Sequence, residues 1–203
     1  MSTPGSSARR RNARGEGQRL RAEILATTVA LMATGGTDET LTLRGVAREV
    51  GVAPPSVYRH FRGLDELLAA AVAEILGSLR AEMEAAVEEV ADPVERLLER
   101  ARAYVRWGDA RPGLYRVVFE GRTQRSEQIP AGRAIRLTAE EDLRAAMARG
   151  ALPPADPSEI AFALWAVLHG IVSLRANKPG APWPTAERFV DVAVPRLLGL
   201  PRA

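Results

Sequence analysis

Apolar side chains recur at intervals of three and four residues along most of this chain, and glycine or proline interrupts the pattern between segments. In the first segment, Leu20, Ile24 and Leu31 fall on one face of a helix with 3.6 residues per turn, and Gly35 breaks the pattern. No segment alternates apolar and polar residues for long enough to form a half-buried strand. The sequence therefore predicts an all-α fold.

The interruptions divide the chain into an arm, two domains and about nine helices. A flexible basic arm is expected over residues 1–17, a three-helix domain over 18–63 and a larger helical domain over 64–203. Residues 120–132 are polar and contain Gly and Pro, so they are predicted to form a mobile loop. The expected helices run from Gln18 to Gly35, after Thr42, from Pro54 to Phe61, from Gly63 to about Val90, from Asp92 to Pro112, from Leu114 to Phe119, over about 133–150, over 157–177, and from Thr185 to about Leu198.

The composition excludes several classes of protein. With 46% hydrophobic residues in a chain of 203, the protein is too apolar to be disordered. The absence of cysteine excludes disulfide scaffolds, iron–sulfur clusters and cysteine nucleophiles. Since His60 and His169 are the only histidines, a site built from several histidines is not expected either. We therefore expect neither a metal nor a cofactor.

Positive charge is concentrated in the first third of the chain. The formal net charge of the protein is +3, whereas residues 1–62 carry ten arginines against five acidic residues. An excess of positive charge at one end is expected where a protein meets phosphate groups, as it does on a nucleic acid.

The sequence contains no evident targeting or membrane segment. Residues 1–17 are rich in Arg, Ser and Gly but have no apolar run, unlike a signal peptide. The longest uncharged run, Ile160–Leu174, has fifteen residues, which is fewer than the roughly 20 that span a bilayer. A buried helix is expected there, and the protein is predicted to be cytoplasmic with no membrane partner.

The stretch from Leu41 to Leu68, LTLRGVAREVGVAPPSVYRHFRGLDELL, has the spacing of a helix-turn-helix. Two short helices flank Gly51, which tolerates the positive φ of a tight turn. The small Ala47 in the first helix allows the two helices to approach closely. The second helix is then free to lie in the major groove of DNA. By spacing alone, an ordinary helical hairpin within a bundle remains an alternative.

The residues of this stretch resemble the DNA-binding domain of the TetR family of transcriptional regulators. The family pattern is T-x-R-x-V-A-x-x-x-G-V over the first helix and turn, followed by Y-x-H-F in the recognition helix. The resemblance covers residues 18–68, and the later segments ARPGLYRVVFEG and LWAVLHGIVSL look like a WHG-type C-terminal domain. The matching residues are Thr42, Arg44, Val46, Ala47, Gly51, Val52, Tyr58, His60 and Phe61.

The resemblance implies a function for each domain. Residues 18–63 would bind DNA, and residues 64–203 would dimerise and bind a ligand. The whole would be a sequence-specific regulator, most often a repressor, that binds a palindromic operator in double-stranded DNA as a homodimer and is released by a small apolar or aromatic effector. A helical bundle that binds a ligand or a protein but no longer reads DNA remains an alternative. An enzyme is disfavoured, because the sequence has no glycine-rich phosphate loop, no G-x-S-x-G and no H-E-x-x-H.

Six DNA contacts follow from the residues that match the family pattern or lie among them. Thr42 begins the first helix, where a hydroxyl and exposed N–H groups hold a phosphate. Arg44 is expected to bind either a guanine edge or a phosphate. The second helix contributes Tyr58 and His60 to phosphates, and Ser56 and Arg59 to the backbone or to base edges.

Three departures from the family pattern modify this expectation. Ala53 stands where the family often has Ser or Thr, so the second helix lacks a side-chain cap. Pro54 and Pro55 fill its first turn and are expected to offer apolar rings to thymine methyl groups. Leu64 occupies a position where many relatives have Lys, and Arg62 is the expected substitute for that phosphate contact.

The larger domain is expected to hold an interface and a pocket. The Ile160–Leu174 helix is apolar on all sides, so it should be buried on more than one face, and a partner subunit is the simplest cover for the second face. The resemblance implies that the dimer contacts come from Leu164, Leu168, Gly170, Ile171, Phe189, Val190, Val194 and Leu197. It also implies a ligand pocket lined by Tyr104, Trp107, Phe119, Phe162, Trp165 and His169. Ordinary core packing remains the alternative for these pocket residues.

Overall fold

The computed structural model describes residues 16–34, 41–119 and 130–200. Within these ranges the chain forms nine α-helices and no strand, which confirms the predicted all-α fold. The helices are α1 (Glu16–Ala33), α2 (Leu43–Val50), α3 (Pro54–Tyr58), α4 (Leu64–Ala85), α5 (Pro93–Ala110), α6 (Pro112–Phe119), α7 (Pro130–Ala148), α8 (Pro157–Asn177) and α9 (Ala186–Leu197).

Side-chain caps determine where several of these helices begin. Asp92 accepts hydrogen bonds from the backbone N–H groups of Val94 and Glu95 at the start of α5. Asp156 caps α8 in the same way, and each of these aspartates is followed by a proline at the first helical position. Proline is well tolerated there, because the first N–H groups of a helix have no partner within the helix.

Three boundaries differ from the expected ones by three residues or more. Helix α4 ends at Ala85 rather than near Val90, because residues 86–90 form tight turns in which the N–H of Val87 bonds the carbonyl of Glu84 at 3.1 Å. Helix α3 ends at Tyr58, three residues earlier than expected. Helix α7 begins at Pro130, so the last residues of the predicted loop are helical. Glu16 and Gly17, the last two residues of the predicted flexible arm, belong instead to α1. Residues 1–15 of that arm and residues 120–129 of that loop lie outside the described residues.

The buried side chains form two clusters. Helices α1 to α3 pack around a small core with the first turns of α4. Val57 and Phe61 are 0% and 1% exposed in this core, which confirms that they serve packing rather than DNA contact. The larger core fills the space between α4, α5, α6, α7, α8 and α9.

Two elements connect the small core to the large one. Helix α4 contributes Leu67 to the small core and its buried side chains between Leu68 and Met83 to the large one. Helix α6 packs its first turn against the end of α1: a Cβ atom at Gly113 would lie 2.3 Å from the carbonyl oxygen of Ala33. Only glycine permits so close an approach between the two backbones.

Helix α8 is buried on one side and exposed on the other. Its inner face, which includes Ala161, Leu168 and Val172, packs against α5, α7 and α9. On the outer face, Phe162 is 44% exposed and Leu174 is 53% exposed. With 21 residues, α8 is also the one described helix long and apolar enough to cross a membrane by length and composition. In this fold it packs as a core helix on one face, and its expected burial on a second face is not met within one protomer.

Candidate nucleic-acid interface and ligand cavity

The turn between α2 and α3 closes through backbone hydrogen bonds. Gly51 adopts a left-handed conformation with φ 77°. The N–H of Val52 then reaches the carbonyl of Ala47 at 2.9 Å, and the N–H of Gly51 reaches that of Arg48 at 3.2 Å. This pair of bonds is the standard end of a helix followed by glycine. Ala47 is fully buried, so α2 and α3 are held in the close arrangement that a helix-turn-helix requires.

The side chains proposed to contact DNA lie at the surface of this unit. Arg44 on α2, and Pro55, Tyr58 and Arg59 on or beside α3, are exposed, with Tyr58 53% exposed. Tyr58 belongs to neither of the two buried clusters of the protomer. The remaining members of the set are Thr42 and Arg62, which are exposed, and Pro54, Ser56 and His60, which are half-buried.

Two of these side chains are already tethered within the protein. The guanidinium of Arg59 donates to the hydroxyl of Ser56 at 3.2 Å. The backbone N–H and Nε of Arg62 both donate to one carboxylate oxygen of Glu66, at 2.8 and 3.0 Å. These two hydrogen bonds, the backbone one first, hold the pKa of Glu66 below its usual value. A phosphate contact by Arg62 therefore has to compete with Glu66, which the sequence pattern alone did not single out.

The start of α3 lacks a side-chain cap, as the sequence indicates. Ala53 has extended backbone dihedrals and no side-chain hydrogen bond to the helix. The helix is five residues long, and the buried side chains of Val57 and of the nearby Phe61 anchor it to the small core. The guanidinium of Arg21 on α1 lies 4.8 Å from the centre of the Phe61 ring and covers it.

Thr42 caps α2, and this role predicts the effect of its removal. Its hydroxyl oxygen accepts a hydrogen bond from the N–H of Gly45 at 3.0 Å. We expect Thr42→Ala to lower the free energy of unfolding by about 1 kcal/mol, and Thr42→Ser, which keeps the hydroxyl, to lower it much less. Urea unfolding followed by circular dichroism measures both. Equal stability of the two variants would contradict the capping role.

The larger domain contains a cavity between α4, α5, α7 and α8. The cavity has a volume of about 60 Å³ and is partly open to solvent. Pockets that bind small molecules are commonly about 300–1,000 Å³, so a ligand of that size would have to move the lining side chains. Its wall is formed by Leu76, Leu79, Met83, Leu97, Arg100, Ala101, Tyr104, Phe119, Gly132, Ile135, Arg136, Ala139, Ala161, Leu164, Trp165 and Leu168.

Only half of the expected pocket residues line this cavity. Tyr104, Phe119 and Trp165 do so. Trp107 does not, because it is 1% exposed within the core. Phe162 does not either, because it lies on the outer face of α8, where its ring is 5.0 Å from the guanidinium of Arg136. The expectation is therefore corrected for Trp107 and Phe162.

His169 is part of a chain of hydrogen bonds next to the cavity. The hydroxyl groups of Tyr104 and Tyr115 are 3.0 Å apart, and that of Tyr115 is 2.7 Å from Nδ1 of His169. Burial raises the pKa of the Tyr104 phenol above its usual value. Because His169 does not itself line the cavity, its expected place in the pocket is also corrected.

Sequence reasoning missed the two charged residues in the cavity wall, Arg100 and Arg136. Arg100 is 4% exposed, and its Nε donates to Asp142 at 2.9 Å. Its Nη1 lies 3.0 Å from a carboxylate oxygen of Glu84. Asp142 is 42 residues away in sequence, so no local pattern links the two.

The expected dimer contacts divide into buried and accessible residues. Leu164, Leu168 and Ile171 are buried on the inner face of α8, and Val190 and Val194 are fully buried on α9. These five are core residues of the protomer, and Leu164 and Leu168 line the cavity. The expectation is corrected for them because a side chain already buried in one subunit cannot also pack against a second. Gly170 and Phe189 are half-buried, and Leu197 is 36% exposed, so these three remain accessible to a partner.

No group of three or more His, Asp or Glu side chains within the described ranges is arranged to hold a metal ion.

Comparison with known proteins gives matches over both domains. The family described as bacterial regulatory proteins, tetR family, matches residues 24–71, and the tetracyclin repressor-like C-terminal domain matches residues 97–197. The HTH-type transcriptional regulator BetI of Rhizobium meliloti (strain 1021) is 31% identical over 147 residues, which cover 70% of each chain.

Two solved structures illustrate the likeness of the fold. A protein of unknown function from Rhodococcus sp. RHA1 has 29% identity and a TM-score of 0.76, with 96% of this chain and 99% of that chain covered. The structure of AibR in complex with isovaleryl coenzyme A and operator DNA has 22% identity and a TM-score of 0.67, with 88% and 97% covered.

Proposed function

The chain belongs to the TetR family of bacterial transcriptional regulators and contains that family's DNA-binding domain, and we propose that it is a repressor released from its operator by a small apolar or aromatic ligand. It binds the operator as a homodimer, acts in the cytoplasm and is not an enzyme. The observation that carries the proposal is the arrangement of α2 and α3, which are locked together at Gly51 and present exposed Arg44, Tyr58 and Arg59.

The exposed side chains have distinct roles on DNA. Arg44 donates two hydrogen bonds to a guanine edge in the major groove. Arg59, beside Ser56, contacts a base edge or the DNA backbone. Pro54 and Pro55 pack against thymine methyl groups. The remaining contacts, from Thr42, Tyr58, His60 and Arg62, go to phosphates and fix the register of the helix on the duplex.

The outer face of α8 supports a dimer. Phe162, Ala166, Gly170 and Leu174 follow one another at four-residue steps and therefore share one stripe of the helix. Phe162, Ala166 and Leu174 are exposed, and a Cβ atom at Gly170 would meet nothing within 4 Å. A second copy of the chain covers this stripe by two-fold symmetry and brings a second reading helix to the other half of a palindrome.

Ligand response follows from the position of the cavity between the two connecting elements. Leu76, Leu79 and Met83 of α4 line the cavity, and α4 continues into the small core. Phe119 at the end of α6 also lines it, while Gly113 at the other end of α6 contacts the backbone of α1. In the dimer, the two α3 helices have to be spaced to fit the two halves of the operator. A ligand that binds better to a form in which they are spaced differently shifts the dimer away from DNA. The related AibR was crystallised with isovaleryl coenzyme A and operator DNA together, which supports a fold that accommodates both ligands.

The proposal is tested by selecting randomised DNA duplexes with the purified protein and sequencing the bound fraction. Enrichment of a palindrome that is lost in a Tyr58→Ala protein supports the proposal. Enrichment of a single half-site contradicts the proposal that the protein binds DNA as a dimer. A folded protein that enriches no sequence at low salt supports instead the helical bundle that no longer reads DNA. Steep loss of affinity with added salt is expected of phosphate contacts.

Arg44 gives a sharper prediction about base recognition. We expect Arg44→Ala to cost about 1–3 kcal/mol at one base pair of each half-site, where it relaxes the preference for guanine. Repeating the selection with Arg44→Ala and with Arg149→Ala, an exposed arginine at the end of α7, measures the effect and its control. If Arg44→Ala weakens all sequences equally, Arg44 contacts a phosphate and not a base.

A further inference from the structure

The charges around the cavity restrict what it can hold, and we infer that it binds an uncharged, largely apolar molecule and rejects anions. The inference rests on the proposed ligand response of this cavity and adds the chemical class of the ligand. It depends on how the two cationic side chains in the cavity wall are paired.

Both cations in the described wall of the cavity are already ion-paired with buried carboxylates. Arg100 donates to Asp142 at 2.9 Å, and Arg136 donates to Glu140. Glu140 and Asp142 are each 4% exposed, so water does not screen these pairs. No other charged residue lines the described part of the cavity.

The ion pairs around these two arginines leave an excess of positive charge at the surface. Asp142 also accepts from Arg96 at 2.8 Å, and Arg100 also pairs with Glu84 at 3.0 Å. Glu84 lies 3.9 Å from Arg80 as well, so three cations face two anions there, and the Arg80 side chain is 50% exposed. Glu140 also accepts from Arg144 at 2.7 Å, but the Arg144 side chain is 54% exposed. The two positive charges left over, on Arg80 and Arg144, therefore lie at the surface, where solvent screens them, and not in the cavity wall.

An anionic ligand would gain little from this site. It would lose its hydration on entry, and burying an ion without a new partner is costly. It would also lie near Asp142 and Glu140, which compete for the same guanidinium groups. A neutral molecule meets instead an apolar wall that includes Leu76, Leu79, Met83, Ile135, Leu164 and Leu168. The narrow free space favours a thin molecule such as an alkyl chain or a flat ring.

Two probes that share one hydrocarbon chain test the inference on the unmodified full-length protein. Binding of n-octanol and of octanoate is measured at pH 8 by calorimetry and by the change in intrinsic tryptophan fluorescence, to which Trp165 in the cavity wall contributes. We expect n-octanol to bind at least about tenfold more tightly, a difference of about 1.4 kcal/mol. Octanoate binding as tightly as n-octanol overturns the inference, and so does failure of both to bind.

A charge-neutralising variant tests the cause of the selectivity. Glu140→Gln keeps the shape of the side chain and removes the buried negative charge beside Arg136, so we expect octanoate to gain at least about tenfold relative to n-octanol. Glu141→Gln, on the exposed side of the same helix, is the matched control and should leave the ratio unchanged. An unchanged ratio in folded Glu140→Gln contradicts the inference. If that variant does not fold, the comparison of n-octanol with octanoate on the unmodified protein still tests the inference.

DNA binding without ligand is measured on the same preparations. Loss of ligand selectivity with intact operator binding overturns the ligand class alone, whereas absence of operator binding overturns the proposed function.

Discussion

Replacing Asp142 by asparagine should destabilise the protein by about 3 kcal/mol, the lower end of the range for removing one partner of a buried ion pair. Asparagine keeps the size of the side chain but removes the charge that Arg96 and Arg100 share. Arg100 is 4% exposed and would then depend on Glu84 alone. The free energy of unfolding in urea, at one fixed protein concentration, measures the loss.

Glu84 provides the matched control for this prediction. It bonds the same guanidinium at 3.0 Å, but its side chain is 42% exposed. Solvent screens an ion pair of this kind, so Glu84→Gln should cost about 1 kcal/mol or less. Equal losses from Asp142→Asn and Glu84→Gln would mean that burial does not set the strength of these pairs, and the charge balance of the cavity wall would need another explanation.

The sequence predicted the fold and the DNA-binding unit well because their signals are local. The helix starts at Thr42, Asp92 and Asp156 depend on a side chain that reaches two or three residues along the chain. The turn at Gly51 depends on the backbone freedom of one residue. Such features can be recognised without knowledge of what lies next to them in space.

The cavity and the interface could not be predicted equally well because they depend on distant contacts. Helical periodicity groups Leu164 with Leu168 on one face of α8 and Phe162 with Ala166 on another. It does not say which face meets α5 and α7. Sequence reasoning therefore assigned Leu164 and Leu168 to the interface, whereas they line the cavity, and assigned Phe162 to the cavity, whereas it is exposed.

The end of α4 shows the same limit at a helix boundary. The apolar pattern continues through Val87 and Val90, and the sequence predicts a helix to about Val90. The chain instead turns at residues 86–90, where Val87 remains 4% exposed, and directs α5 back against α4. Tertiary packing decides this boundary, and helical propensity alone does not.

Gly170→Glu should separate the protomers without unfolding them. Gly170 lies in the middle of the outer stripe of α8, and a Cβ atom there would meet nothing within 4 Å in the protomer. Glutamate favours a helix over glycine by several tenths of a kcal/mol, so the isolated subunit should be at least as stable. In the proposed dimer, two glutamates would be buried opposite each other without partners.

The expected result is a folded monomer whose affinity for the operator falls by about a hundredfold or more, because a single half-site contributes only part of the binding free energy. Sedimentation equilibrium and circular dichroism measure the association state and the fold, and a titration of labelled operator measures the affinity. Gly77→Glu is the matched control, since Gly77 is also helical and also faces open space, but on α4. A Gly170→Glu protein that remains dimeric would place the interface elsewhere. If the monomer formed but still bound the operator at full affinity, one subunit would suffice for recognition, and two-fold symmetry would have no part in reading the DNA.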